Sequence, residues 1–317
     1  MKRGAVDVLR RGVDNTVANW QLIVIRICEG VAFALIAIAG ALAIVVPILV
    51  SVGIEFAKIR SPEDIAGAAV ALLDKWVLLA WIAVAVLVLL TIFIAIHAFV
   101  EAGCARVYVD AERIAGPSAN GPRARFALFS MARWYAGGVD GWWTLFWIYN
   151  GAWSAAALIL LIPLIPTAAL MVVFREEPPA LVASGCVGLF VTVVLLVFVG
   201  VVTTVWTTRA IAGWAARRAG ASDALKSGWR AMRADFGRHL LVAVAVFVVA
   251  LAGSSLFTSL SFFAMFGEAV GRHHGAMSLV TLPLRFTGSF LNSCFSAVVS
   301  SWFLACYAGL ATETPEG

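Results

Sequence analysis

Six long apolar runs govern what this chain can fold into. Leu22 to Val52 is apolar except for Arg26 and Glu29, and Trp76 to Val100 has only His97 to interrupt it. Leu145 to Phe174, Leu181 to Trp206 and Leu240 to Phe266 carry no charge, and Leu282 to Leu310 carries only Arg285. A bilayer core of about 30 Å needs roughly 20 helical residues, so each run is long enough to cross once. Burying six such helices in a water-soluble bundle would require a polar outer layer. Charged residues are only 13 % of the 317, against about a quarter in soluble domains. The sequence therefore predicts an all-α fold: one membrane domain over 1–317, with six transmembrane helices in three hairpins.

The first run is too long for a cleavable signal and follows some twenty residues that themselves read as a helix. The five cysteines lie in or beside the runs without a CxxC pair, as small packing residues do. No metal, cofactor or nucleic-acid partner is implied.

Basic residues fix the expected orientation. The N-terminal segment, the connection between spans two and three, and that between spans four and five together hold sixteen of the 23 Lys and Arg residues. The other connections are poorer, with Lys58, Arg60, Lys75, Arg175 and Arg272 set among acids or alone. The positive-inside rule then places both termini and the two basic connections in the cytoplasm. Trp142, Trp143, Trp147, Tyr149 and Trp153 form an aromatic belt where span three enters. The Gly- and Pro-rich stretch Ala115 to Pro122 reads as the one clear loop on that side.

Each hairpin is preceded by a basic amphipathic segment, which suggests an internal repeat. In the third segment Leu225, Trp229, Met232, Phe236 and Leu240 recur at helical steps, with Lys226, Arg230, Arg233 and Arg238 largely off that face. Leu9, Val13, Val17 and Trp20 make the N-terminal stripe; Phe126, Phe129 and Trp134 make a less regular one in the middle. Such helices are expected at the inner headgroup layer, near anionic lipid, with Trp20, Trp229, Arg230 and Arg233 at the interface. Elbows that merely pack beneath the bundle are the competing reading.

Ionisable residues inside a span are costly and normally mark a partner or a wet cavity. Arg26 and Glu29 are close enough to pair on one helix face, although Arg26 could equally snorkel to the inner surface. His97 and Glu101, four apart, could relay protons. In span six Arg285, Ser289, Asn292, Ser296 and Ser300 form a polar stripe, answered in span five by Ser254, Thr258 and Ser261. The stripes either zip the two helices together or line a hydrated or amphiphilic path. Pro163 and Pro166 predict a kink in span three.

The segment SGWRAMRADFGRHLLVAVAV, Ser227 to Val246, with its elbow-plus-hairpin layout, resembles the six-span bacterial membrane domains that sometimes precede a glycerophosphodiester phosphodiesterase. The resemblance implies a bacterial cytoplasmic membrane and a connection with lipids. It does not carry the hydrolase activity, because the barrel and its carboxylate motifs are missing from these 317 residues. The resulting expectation is a non-enzymatic protein that handles or translocates a lipid-like substrate, or forms the membrane subunit of such a system. The alternative is a structural or regulatory subunit that binds other membrane proteins or further copies of itself.

Overall fold

Every apolar run folds into a helix that outlasts it. With no water in the hydrocarbon to satisfy N–H and C=O groups, a spanning segment must close its hydrogen bonds internally. The computed structural model describes residues 3–56, 75–116, 123–173, 178–270 and 276–313. These form α1 (Ala5–Ala18), α2 (Gln21–Phe56), α3 (Trp76–Ala115), a 3-10 turn (Arg123–Phe126), α4 (Met131–Val173), α5 (Pro178–Arg217), α6 (Ala221–Ala234), α7 (Phe236–Val270) and α8 (Ala276–Glu313). All but α1 and α6 are long and apolar enough to cross a membrane, so the chain is a multi-pass membrane protein. Among the described residues there is no strand. The connections 57–74, 117–122, 174–177 and 271–275, with the charges and most of the loop expected there, lie outside the described residues.

The chain divides into two compact units. In the smaller, Ile25–His97, the two helices run antiparallel: Glu29 meets His97, Phe33 meets Phe93 edge-on at 5.0 Å, and Trp81 Nε1 donates to the Ala43 carbonyl. Gly40 makes room for Leu89, whose Cδ1 would lie 2.4 Å from an added Cβ.

The larger unit comprises Met1–Val24 and Ala98–Gly317. It contains the α4–α5 hairpin, closed by Gly188 against Thr167 and Gly141 against Trp214, and the α7–α8 hairpin, closed by Gly253 against Phe295. Packing is concentrated at one end. Val8, Val205, Met232, Val242, Tyr307 and Leu310 share a core there, whereas Leu158, Ile162, Val187, Phe198 and Phe247 lie bare on the helix exteriors. That distribution is expected of a bundle whose spans face lipid, because lipid tails are as apolar as leucine. α4 stays helical from Met131 through Pro163 and Pro166 to Val173. Thr167 donates its hydroxyl to the Pro163 carbonyl there.

The two short helices dock alike. α1 and α6 each have 14 residues and begin after an extended glycine, Gly4 or Gly220. They end at Asn19 and Asp235 respectively. On α1 the Leu9 carbonyl accepts from Trp302 Nε1, and Gly12 lies against Cys306. On α6 the Leu225 carbonyl accepts from Trp206 Nε1, and Gly228 lies against Ala210. The middle elbow is not a separate helix. It divides between the 3-10 turn, which ends at Phe126, and the first turn of α4, where Trp134 packs on Gly103 and Phe99 of α3.

A Cβ on Gly228 would lie 3.0 Å from the Cα and N of Ala210, backbone atoms that cannot yield. Gly228→Val is therefore expected to cost about 1–3 kcal/mol, whereas Gly200→Ala, facing open space, should be neutral or stabilising by up to ~1 kcal/mol. Thermal unfolding in detergent measures both; superimposable melts would contradict this account of the α5–α6 crossing.

Candidate functional site

The polar chemistry of the larger unit gathers at its packed end. Four arginines and two glutamates, far apart in sequence, converge there. Arg11 donates through Nε (3.2 Å) and Nη2 (2.9 Å) to Glu112 Oε2, which also accepts from Arg3 Nη1 at 3.3 Å. Glu112 is fully buried and Arg11 nearly so. Glu313 accepts from Arg238 Nη1 at 2.7 Å and lies 3.6 Å from Arg3 Nε. Arg238 also donates to the Arg3 carbonyl, and Arg209, 1 % exposed, completes the group. Arg11 further donates to the carbonyl of Gly116, whose φ of +72° lets the chain turn off the end of α3. Outside the spans, Arg218 pairs with Asp140 and lies over the Trp214 ring. Partial burial, then Arg106 and Arg113, lower its pKa from the usual guanidinium value.

Beside this ionic group lies an asparagine clamp. Asn19 donates to the carbonyl and side-chain oxygen of Asn15 and to the Phe126 carbonyl, and its own Oδ1 accepts from the N–H groups of Leu128 and Phe129. Asn15 in turn donates to the Tyr108 carbonyl. One turn of chain before α4 is thus held against α1 by side chains rather than by secondary structure.

Above the packed end a cleft of about 530 Å³ opens between α5, α7 and α8. Its walls include Gly200, Val201, Val246 and Val299, and its rim includes the exposed Leu196, Val197 and Phe247. Four hydroxyl residues line it: Thr204, Ser254, Ser296 and Ser300. Thr204 and Ser300 turn their hydroxyl protons onto the Gly200 and Ala297 carbonyls of their own helices. The wall they present to an occupant is therefore largely hydrocarbon. No family model, curated protein or solved structure matches the chain. Function must be read from the site itself.

The stripes expected on spans five and six divide. Ser254, Ser296 and Ser300 reach the cleft, while Thr258 and Ser289 are exposed elsewhere and Asn292 and Arg285 are half-buried outside it. Ser261 has no described side chain. Among the described residues, Ser254, Thr258, Ser289, Asn292 and Ser296 make no hydrogen bond across to the facing helix. The third wall is α5, and the proline-bearing α4 contributes no lining residue.

In the smaller unit Glu29 Oε1 lies 2.7 Å from His97 Nδ1, an inter-helix pair joining one member of each expected intrahelical couple. Arg26 is 7 % exposed, and Glu101, in the larger unit, is buried as well.

The elbows keep part of their apolar stripes exposed and bury other residues. On α1 the polar side, Arg11, Asn15, Thr16 and Asn19, is buried, and Val13, Val17 and Trp20 are exposed. On α6 the stripe splits: Met232 enters the core, while Trp229 and Phe236 stay exposed with Arg230 and Arg233. The sequence counted Arg3, Arg11, Arg209 and Arg238 as bulk positive charge. Steps of four through Arg11, Asn15 and Asn19 were the available signal of a buried polar face.

Removing one partner of a buried ion pair leaves an uncompensated charge, a loss of about 3–5 kcal/mol. Glu112→Gln is therefore expected to lower stability by that amount and Glu313→Gln, whose carboxylate is less completely buried, by less. Denaturation in detergent is the measurement; an unchanged midpoint for Glu112→Gln would show the network to be ornamental.

Proposed function

We propose that this protein binds a lipid-like amphiphile from the bilayer and holds or passes it on, working by binding rather than catalysis. The cleft between α5, α7 and α8 carries this reading. Its volume lies within the range of small-molecule sites, about 300–1,000 Å³. Apolar walls with a few hydroxyls suit a hydrocarbon chain better than a hydrated solute. An exposed apolar rim gives access sideways from lipid, with no passage through water. The resemblance to membrane domains associated with phosphodiester-lipid enzymes points the same way.

The same reading places the protein in a bacterial inner membrane with both termini in the cytoplasm, supported by the basic residues on α1, α6 and the end of α5. The matched lengths, caps and tryptophan-to-carbonyl contacts of α1 and α6 support descent of the elbow-plus-hairpin segments from one repeated unit.

Gly200 lines the cleft with open space where a Cβ would project, so Gly200→Phe is expected to place its ring in it. Protein extracted in mild detergent should carry bound lipid, measured by mass spectrometry, that this variant loses while melting at the same temperature. Equal lipid retention by the two proteins would overturn the reading and favour a structural subunit. For orientation, a cysteine at position 220 on a cysteine-free background is expected to resist an impermeant reagent added outside the cell.

A further inference from the structure

The cleft is closed at the packed end and keeps its available hydroxyls at the other. Its lining starts at the packed end with Val205 on α5, Ala243 on α7 and Phe303 on α8. One turn nearer that end on each helix stand Arg209, His239 and Tyr307, all buried. Tyr307 donates to the His239 carbonyl at 3.2 Å, and its ring stacks on the imidazole. An occupant therefore cannot run along the cleft to the headgroup layer at that end; it enters through the lipid-facing rim. Among the described residues that line the cleft none is acidic, basic or a histidine. A phosphate or ammonium drawn inside would be buried without an opposite charge, which is costly.

The four hydroxyls are not equivalent. Those of Thr204 and Ser300, toward the packed end, are engaged by carbonyls of their own helices, the local bond such side chains favour in a helix. Ser254 and Ser296, toward the far end of the cleft on α7 and α8, make no such bond among the described residues. Gly253 meets Phe295 at this level, so the two helices are in contact there. Ser254 stands midway between His239 and Glu268 in the sequence, and Ser296 is eleven residues past Arg285 and seventeen before Glu313. Each hydroxyl is thus at least roughly 16 Å of helix from the nearest charged residue or histidine on its own helix. In a hydrocarbon core about 30 Å thick, that is the interior of the bilayer.

A slot without charges, closed toward the headgroups and offering two hydroxyl donors deep in the bilayer, suits a lipid that carries its polar group there. We propose that the occupant is an uncharged lipid whose carbonyl oxygens accept hydrogen bonds from Ser254 and Ser296, the chemistry that diacylglycerols and prenylquinones share. This rests on the amphiphile reading above and adds the occupant's charge and the two residues that hold it.

The test uses the full chain in detergent, offered dioleoylglycerol, a prenylquinone, phosphatidylglycerol or phosphatidylcholine, with retained lipid counted by native mass spectrometry. The wild type should keep a neutral lipid about fivefold or more over either phospholipid, and which neutral lipid it keeps identifies the source. Ser254→Ala and Ser296→Ala should each weaken that retention about fivefold, the worth of one ordinary hydrogen bond, at an unchanged melting temperature. Thr204→Val, which removes a hydroxyl already engaged within its own helix, should leave retention as it is. Gly200→Phe should lose every lipid that the wild type keeps. Phospholipid retention equal to or above that of the neutral lipids, or neutral-lipid retention indifferent to both serine substitutions, would overturn the uncharged occupant and leave the amphiphile reading standing. Retention of no lipid by the wild type would overturn both.

Discussion

The larger unit rests on an ionic group that pairs Arg3, Arg11 and Arg238 with Glu112 and Glu313 at its packed end. Arg11 and Glu112, on α1 and α3, are joined through Arg3 to Glu313 and Arg238 on α8 and α7. A buried ion repays its desolvation only when its partner is close and the surrounding hydrogen bonds are well formed. Bonds of 2.7 and 2.9 Å, with Arg11 also bound to the Gly116 carbonyl, meet the first part of that condition, while Glu112 Oε1 is buried without a hydrogen bond among the described residues. The network also fastens the first helix to the last. α1 cannot present Leu9 to Trp302, or Asn15 and Asn19 to their carbonyls, unless Arg11 is seated. The geometry of the whole packed end follows from that placement.

The spans were legible because lipid acts on every residue in the same way. Absence of charge over twenty or more positions is a local property, and the hairpin order follows from short connections. The sites were harder, since they depend on which residues meet. Arg11 finds Glu112 across 101 positions and Arg238 finds the Arg3 carbonyl across 235. Nothing in the charge count separates these arginines from Arg10 or Arg233, which stay exposed. The polar stripe of span six was visible as a pattern, but its division was not. A stripe of period 3.6 on a long helix meets a neighbour only where the two helices face each other. Ser296 and Ser300 do so at the cleft and Ser289 does not. Gly200 and Thr204 escaped notice because span four has no charge to draw attention, and an empty space has no sequence signal.

The buried polar face of α1 carries a related lesson. Amphipathicity identifies two faces without saying what each will touch. In water the apolar face goes inward. At a membrane the environment outside is apolar too, so Val13, Val17 and Trp20 can remain outside while Asn15 and Asn19 are enclosed with carbonyls that need them. Burial of a polar group is acceptable when its hydrogen bonds are made, and Asn19 makes all of its own.

α5 is helical without interruption from Pro178 to Arg217. The same rod that walls the cleft at Gly200 and Val205 thus also carries Arg209 into the ionic group and Trp214 against Gly141. A rod without a hinge cannot move at one point only. Any tilt of α5 that widens or narrows the cleft must lever Arg209 and Trp214 against the best-packed part of the molecule. The width of the cleft and the packing around Arg209 and Trp214 are in this way two readings of one angle.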